Sequence, residues 1–254
     1  MEPWRTAVST FEQNRILIRG HPVEKLMAGG NFGDVAFLLL RGRPPNTSES
    51  RVWNAILIAV ADHGPTPPSA MAARVIASGN RRAVEAAVAG GLLAIGDAHG
   101  GAGEEAMRML RRALDLMATE GLTAEAAAQR VVDGYSARGQ RVPGIGHRVH
   151  TRDPRTAALW SLAREVGVAG PGIDVMQAIG VAGSPAGRLL PVNVDGALAA
   201  VLVDLGFEPA AGKAAFILGR CAGVAAHVLE ELAREKPMRI EVPFLYDGPR
   251  EVDT

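Results

Sequence analysis

The chain has 254 residues, of which 27 are Lys or Arg and 27 are Asp or Glu. This length is enough to bury a sizeable core without disulfide or metal staples. Because the charges balance, no nucleic-acid partner and no acidic disordered chain is predicted, and we expect small molecules as partners. The single cysteine, Cys221, excludes an intrachain disulfide, and we expect a reducing, cytoplasmic location.

The N-terminal segment MEPWRTAVSTFEQNR carries charges where a secretion signal would have an apolar core. No uncharged run approaches the length of a membrane span. We therefore predict neither export nor a membrane-spanning segment. Aromatic residues make up only 4% of the chain, whereas alanine and glycine are frequent, and this composition favours helices that pack closely through small side chains.

The first half of the chain is predicted to form a short β ribbon followed by helices. RILIRG, at residues 15–20, is a β-like run that ends at a glycine. Beyond it, apolar side chains recur at helical spacing, and polar caps, Gly and Pro mark the helix ends. The predicted helices cover residues 31–41, 52–61 (with capping side chains at 47–50), 67–76, 81–95 and 103–118.

The second half is predicted to contain further helices and one unusual loop, at residues 139–155, which is rich in Gly, Pro and charge. Residues 168–190 are punctuated by Gly and Pro, and no helix is predicted there. The C-terminal residues 238–243 are interpreted as a short extended tail. The predicted helices cover residues 122–137, 156–166, 193–205 and 209–235.

Three histidines, His63, His99 and His147, fall in Gly- and Pro-rich joints between apolar helices, where side chains can converge on a cleft. For each one alone, a hydrogen-bonded loop residue is the simpler interpretation, but three together favour a site. A histidine metal cluster is the rival hypothesis. No HxH or HExxH spacing occurs, and His147 with His150 is only a weak pair, so no metal is predicted.

Three carboxylates, Asp97, Asp153 and Asp195, lie in loops or at helix starts, and each could be an N-cap or a solvated turn residue. Asp195 differs because apolar residues frame it, so partial burial could raise its pKa into a range useful for acid–base catalysis. Arg220 lies in the apolar run FILGRCAG and must find an anion or carbonyl groups. A structural salt bridge and a bound carboxylate both remain open for it.

The glycine-rich segments lack the patterns of nucleotide-binding loops. No GxxxxGK[ST] motif occurs, and no GxGxxG follows a strand, so nucleotide hydrolysis is not predicted. Residues 143–146, with sequence PGIG, could still let the backbone approach a cofactor closely, although a plain turn is the simpler interpretation.

Five segments, in order along most of the chain, resemble motifs of the citrate synthase superfamily. ADHGPTPPSAMAARVIAS resembles its ADH-containing segment, GDAHGGAGEEAMRML its HGGA-E-A-ML segment, and RVPGIGHRVHTRDPR its PG-GHRVY-DPR loop. PVNVDGALAAVLVDLGF resembles its NVD helix start, and ILGRCAGVAAHVLEE its R-GW-AH-E helix. The resemblance implies an all-α, citrate synthase-like fold with short extended segments near the termini. It also implies one unit over residues 1–254, with a small subdomain at about 139–215, and a homodimer or higher homo-oligomer.

The chain is shorter than a citrate synthase, because it passes almost directly from FGDVAFLLLRGRPP to His63 and lacks a helical block. In this shortness, and in the wording of IGDAHGGA and NVDGALAAVLVDLG, the chain is more similar to citryl-CoA lyases and the related module of ATP-citrate lyase than to full-length synthases. The resemblance implies cleavage of citryl-CoA to acetyl-CoA and oxaloacetate, with the coenzyme A thioester as substrate or product and no tightly bound cofactor. The alternatives are a citrate or 2-methylcitrate synthase, a lyase for another 3-hydroxyacyl-CoA, and a non-catalytic acyl-CoA-binding protein.

Carried over position by position, the resemblance implies that three side chains are catalytic and that three others bind the carboxylates of the substrate. It also implies that part of the loop at 139–155 contacts coenzyme A. In the cleavage direction, His147 would accept the hydroxyl proton, His99 would hydrogen-bond the thioester oxygen, and Asp195 would protonate the enol carbon. The catalytic residues are His99, His147 and Asp195. The substrate-binding residues are His63, Arg155 and Arg220. The coenzyme A contacts are Pro143, Gly144, Ile145, Gly146 and Arg148.

Two positions depart from the family pattern. Val242 stands before Pro243 where synthases commonly have an Arg that serves the neighbouring subunit's substrate, so a citrate carboxylate loses a partner. Arg239 or Arg188 could compensate, or the natural substrate could lack that carboxylate. Gly64 stands where the family usually has Glu.

Overall fold

The computed structural model describes residues 2–185 and 189–249, and over these residues the chain is all-helical apart from a small ribbon at the N-terminus. The predicted all-α class is therefore confirmed. The strands are β1 (Ser9–Glu12), β2 (Arg15–Ile18) and β3 (His21–Pro22), which pair antiparallel in the order β1-β2-β3. The helices are α1 (Val23–Gly29), α2 (Phe32–Arg41), α3 (Thr47–Ala61), α4 (Pro68–Gly79), α5 (Val84–Leu93), α6 (Ala102–Glu120), α7 (Ala124–Ala137), α8 (Pro154–Glu165), α9 (Pro171–Ala182), α10 (Val194–Asp204) and α11 (Ala210–Arg234).

Helix α3 begins one turn earlier than predicted because a residue before the predicted caps forms a capping box. The Asn46 side chain accepts the backbone N–H of Glu49, and the Glu49 carboxylate accepts the backbone N–H of Asn46, both at 2.9 Å. Arg43 completes the arrangement by donating from two guanidinium nitrogens to the same carboxylate. The start of α3 is thereby fixed, and its other end leads directly to His63.

Helix α9 was not predicted, and its glycines explain why. Pro171 sits at its first turn, where a missing N–H and a fixed φ do not disturb a helix. A side chain at Gly172 would place its Cβ 2.7 Å from the carbonyl oxygen of Ala200, and one at Gly180 would place it 2.9 Å from Val192. These glycines therefore let α9 approach α10 and the segment before it closely, and they do not break the helix.

The main hydrophobic core is continuous, with buried side chains from α2, α3, α6 to α11 and the loop after α10. Phe37, Trp53 and Phe207 form an aromatic group at one end, with ring centroids 5.2 to 5.8 Å apart. Helices α8 to α10 share this core with the rest of the chain. The subdomain expected at about 139–215 remains a prediction.

Helix α11 packs against α3, α4, α5 and α6. Among the described helices, it is the one long and apolar enough to cross a membrane by length and composition, with a mean hydropathy of 1.2 over its best window. It nevertheless carries two fully buried charged residues, Arg220 and Glu231, inside the helical assembly. A core helix passes the same test, so this feature is weak support for a membrane location.

Candidate active site

The joints between helices converge on one cavity of about 310 Å³. The joint after α3, the turn before α6, the loop before α8 and the first turn of α10 form its walls, together with part of α11. The cavity brings together all six of the predicted catalytic and substrate-binding residues. They are His63, His99, His147, Arg155, Asp195 and Arg220.

The predicted coenzyme A contacts lie only partly at this cavity. Gly146 and Arg148 line it, whereas Pro143, Gly144 and Ile145 do not. Gly144 instead packs against the start of α10, where a Cβ on it would come within 2.6 Å of the Gly196 Cα. Its role is therefore close packing, and the coenzyme A contacts remain a prediction.

His99 is held by a tight turn before α6. Its backbone N–H and C=O both bond to Gly96 at 2.9 Å, and Gly101 also donates to the Gly96 carbonyl. Gly100 has φ of +75°, and a side chain there would collide with the ring of Phe216, whose edge packs on His99. The glycines of GDAHGG thus allow the turn that carries the histidine into the cavity.

The ring of His99 carries its proton on Nδ1, as the contacts of a buried serine indicate. The Ser69 hydroxyl is fully buried, accepts from Arg220 Nη1 at 3.4 Å and lies 2.9 Å from His99 Nε2. Among the described residues, Nε2 of His99 is the acceptor within reach of the Ser69 proton, and this favours the tautomer in which Nδ1 of His99 is the donor. Burial, followed by the charge of Arg220, lowers the pKa of His99, which keeps this ring neutral.

His147 is fixed in the opposite tautomer. Its Nδ1 accepts the backbone N–H groups of Val149 and His150 at 3.0 and 2.9 Å, so the neutral ring carries its proton on Nε2. Burial, followed by the neighbouring His150, lowers the pKa of His147. The ring therefore presents an N–H donor that its own loop has oriented.

Asp195 lies in the first turn of α10 with an orphaned oxygen. Its Oδ1 is buried and has no hydrogen-bond partner among the described residues. Burial raises the pKa of Asp195 to about 6, although Arg155 and Arg220 oppose this shift. A carboxyl group that titrates near neutral pH and has a free oxygen at a cavity is suited to move a proton.

Asn193 connects the His147 loop to the Asp195 helix, a role that was not predicted from the sequence. As the N-cap of α10, its side chain accepts the backbone N–H groups of Asp195 and Gly196 at 3.0 and 3.2 Å. Its Nδ2 donates to the carbonyl oxygen of Gly146 at 2.9 Å. One side chain thus sets the distance between two predicted catalytic residues, and the only sequence signal was a capping residue before Asp195.

Replacing Asn193 by Ala is expected to lower the free energy of unfolding by about 1 to 2 kcal/mol, because a helix cap and a loop contact are lost together. Chemical denaturation measures this directly. Asn193→Asp is the comparison variant: it keeps the acceptor for the helix N–H groups but replaces the donor to Gly146 with a carboxylate oxygen, so it should retain the cap and lose the loop contact. If Asn193→Ala unfolds at the denaturant concentration of the unaltered protein, Asn193 does not hold the loop and helix together.

The two arginines of the cavity differ in whether a carboxylate pairs with the guanidinium group. Asp153 caps α8 and accepts Nε and Nη2 of Arg155 at 2.9 and 2.7 Å, so the interpretation of Asp153 as an N-cap is confirmed. Arg220 is only 2% exposed and donates Nε to the Val60 carbonyl at 2.8 Å, but among the described residues no carboxylate oxygen lies within 4.0 Å of it. Of the two alternatives left open for Arg220, the geometry favours a bound anion over a structural salt bridge.

Three histidine rings, those of His63, His147 and His150, have nitrogens within 4.8 Å of one another. A metal ion could draw such a cluster together, but the Nε2 proton of His147 would have to leave first. The guanidinium groups of Arg155 and Arg220 also act on His63 and would repel a cation. The cluster fits a metal poorly, and the absence of a metal remains a prediction.

Arg239, one of the two arginines that could replace the missing synthase arginine, does not line the cavity. Arg239 pairs with the fully buried Glu231 at 2.5 Å and with Glu235 at 3.1 Å, and Arg188 lies outside the described residues. Val242 is 75% exposed. Gly64 has φ of +85°, a conformation that a Glu would adopt only with strain.

Comparison with known proteins agrees with this architecture. The citryl-CoA lyase of Hydrogenobacter thermophilus superposes with a TM-score of 0.87 and 36% identity, over 99% of this chain and 98% of that one. The ATP citrate lyase of Methanothrix soehngenii, solved with citrate and coenzyme A, has the same fold over 43% of its length, with a TM-score of 0.81, 24% identity and 99% of this chain covered.

Sequence comparison gives the family. A putative citrate synthase 2 of Mycobacterium bovis is 33% identical over 218 residues, which are 81% of this chain and 54% of that protein. The chain thus spans about half the length of the curated relatives it matches first. The family profile described as citrate synthase, C-terminal domain, matches residues 43–241. With a profile covering most of the chain and a similarly sized structural relative, the chain belongs to the citrate synthase family.

Proposed function

We propose that the chain is a citryl-CoA lyase that cleaves citryl-CoA to acetyl-CoA and oxaloacetate. The observation that carries this proposal is the convergence of His99, His147 and Asp195 on one cavity that also holds the guanidinium of Arg220, which forms no ion pair with any carboxylate that the structure describes. Two oriented N–H donors and a carboxyl group with a pKa of about 6 are the groups that enol chemistry on a thioester needs. The full-length likeness to the lyase of Hydrogenobacter thermophilus favours this member of the family.

The mechanism is simplest in the condensation direction. The Asp195 carboxylate removes a methyl proton from acetyl-CoA, and the Nδ1 proton of His99 stabilises the oxygen of the resulting enolate. As the enolate carbon attacks the ketone carbon of oxaloacetate, the ketone oxygen takes the Nε2 proton of His147 and becomes the hydroxyl group.

Cleavage reverses these transfers. The reverse reaction starts from the state that condensation leaves, with Asp195 protonated and Nε2 of His147 deprotonated. Nε2 of His147 then receives the hydroxyl proton, and Asp195 delivers its proton to the enol carbon. The two backbone N–H groups at Nδ1 of His147 stabilise the electron-rich ring that this step requires.

A synthase is the second candidate, because the same three residues serve condensation and because several relatives carry that name. A synthase must also hydrolyse the thioester, and this chain passes almost directly from FGDVAFLLLRGRPP to His63, without the helical block expected of a synthase there. The exposed Val242 leaves a third possibility, a lyase for a 3-hydroxyacyl-CoA that has one carboxylate fewer than citryl-CoA.

The deciding experiment is incubation of the purified protein with synthetic citryl-CoA, followed by mass spectrometry of the products. Acetyl-CoA and oxaloacetate without citrate are the expected result for a lyase. Release of free citrate and coenzyme A would instead identify a synthase, and no reaction would direct the search to other 3-hydroxyacyl-CoA thioesters. An Asp195→Asn protein prepared in parallel controls for contaminating activity.

We also propose a homodimer in the cytoplasm. The C-terminal tail exposes Phe244 and Leu245 at 89% each and Tyr246 at 66%. Consecutive exposed apolar side chains of this size are typical of a segment that another protein surface covers. A second copy of the chain is the partner that the family relationship favours.

A further inference from the structure

His150 belongs to the cluster of three histidines with His63 and His147, but it has no role in the chemistry described above. It stands where the PG-GHRVY-DPR motif has Tyr. Its Nε2 lies 3.3 Å from Nε2 of His63, and its ring lies 4.4 Å from that of His147, centroid to centroid. His63 and His147 line the cavity, whereas His150 does not. Any effect of His150 on a ligand must therefore pass through its neighbours.

The contact between His63 and His150 requires one proton between two ring nitrogens. Burial lowers the pKa of His63, and the charges of Arg155 and Arg220 lower it further against the opposing Asp153. His63 is therefore neutral near pH 7 and has a single N–H group. Either His63 Nε2 donates to His150, or His150 Nε2 donates to His63.

These two arrangements present opposite groups to a ligand. If Nε2 of His63 donated its proton to His150, Nδ1 of His63 would present a lone pair, which repels a carboxylate. If His150 is the donor, the proton of His63 lies on Nδ1 and can bond an anionic oxygen. The buried Arg220 donates to the Val60 carbonyl and has no carboxylate partner among the described residues, so the cavity favours an anionic ligand and hence the second arrangement.

We propose that His150 is a positioning residue that donates from Nε2 to Nε2 of His63 and so makes His63 an Nδ1–H donor for a substrate carboxylate. This inference rests on the proposed function, since it takes His63 as a contact for oxaloacetate or the citryl group. The same turn then fixes both rings, because the backbone N–H of His150 bonds His147 and its side chain bonds His63. A tyrosine hydroxyl, the group in the family motif, can donate in the same way.

The matched pair His150→Phe and His150→Tyr tests this role, since the two variants differ by one hydroxyl group. We expect His150→Phe to raise the Kd for oxaloacetate, measured by calorimetry, about tenfold, the effect of one lost hydrogen bond of ordinary strength. In cleavage, KM for citryl-CoA should rise by a similar factor, while kcat changes less than about threefold. His150→Tyr should stay near the unaltered protein in both measurements. Equal affinity in all three proteins, or equal weakening in both variants, would overturn the proposal.

Nitrogen NMR of ring-labelled histidine gives a readout that needs no activity. In the unaltered protein and in His150→Tyr, Nδ1 of His63 should be protonated and Nε2 should not, whereas His150→Phe should lose this preference. If oxaloacetate does not bind at all, the proposed function fails, and the NMR result still decides the tautomer. An Nε2–H form of His63 in the unaltered protein contradicts the inference.

Discussion

Replacing Asp195 by Asn is expected to lower kcat for carbon–carbon cleavage by a factor of about 10² to 10⁴, the usual contribution of one general acid–base group. The amide keeps the shape of the side chain but cannot deliver a proton to the enol carbon. Steady-state assays with citryl-CoA measure the loss. Asp97→Asn is the matched control, since this exposed carboxylate near the His99 turn changes in the same way without touching the cavity chemistry.

The same substitution is expected to stabilise the fold. Burial raises the pKa of Asp195 from 3.8 to about 6, and each pKa unit corresponds to about 1.4 kcal/mol, so the ionised group costs the folded state on the order of 3 kcal/mol. Because the folded pKa is raised, this cost grows as the pH rises from about 4 to 6 and is complete above that range. Asp195→Asn should therefore unfold at higher denaturant concentration at pH 7 and show less loss of stability over that range.

The pH dependence of the reaction gives an independent check on Asp195. Condensation needs the carboxylate, so its kcat/KM should rise with pH through about 6. Cleavage uses the same total number of protons in the site, shared differently between Asp195 and His147, and the overall reaction neither releases nor consumes a proton. Its kcat/KM should therefore rise over the same interval. Unchanged turnover in Asp195→Asn, or a kcat/KM that does not change through about pH 6 in either direction, would remove the assigned role.

The location of the site was predictable because helix joints have a plain sequence signature. His63, His99 and His147 each stand beside Gly or Pro between apolar helical segments, and the structure brings all three to one cavity. The raised pKa of Asp195 was also expected, because apolar residues surround a helix start. These features depend on local sequence, which one chain displays directly.

The tertiary contacts of the site could not be predicted in the same way. Asn193 has the local signature of a helix cap, but its bond to Gly146 joins residues 47 positions apart. His150 contacts His63 over 87 positions. Helix α9 was missed for a related reason, since its glycines pack against neighbouring helices and carry no local sign of that function. The particular contacts that orient each group depend on how the helices pack.

Arg220→Met is expected to separate ligand binding from stability. Burial lowers the pKa of Arg220, and no described carboxylate lies within 4.0 Å of it, so the folded protein retains a poorly solvated charge. Replacing such a charge with an apolar side chain of similar volume is often neutral or stabilising. We expect the free energy of unfolding to stay within about 1 kcal/mol or to rise, because the lost hydrogen bonds to Val60 and Ser69 offset part of the gain.

Ligand binding should change in the opposite direction. Removing a buried cation that bonds a substrate carboxylate costs roughly 2 to 5 kcal/mol, so the Kd for oxaloacetate should rise by at least about thirtyfold. Saturating oxaloacetate should raise the Tm of the unaltered protein but not that of Arg220→Met. Arg111→Met, which removes a surface ion pair with Glu208, is the control and should bind normally. If Arg220→Met unfolds far more readily and still binds oxaloacetate, the guanidinium serves the fold rather than the ligand, and Arg155 becomes the main anion contact.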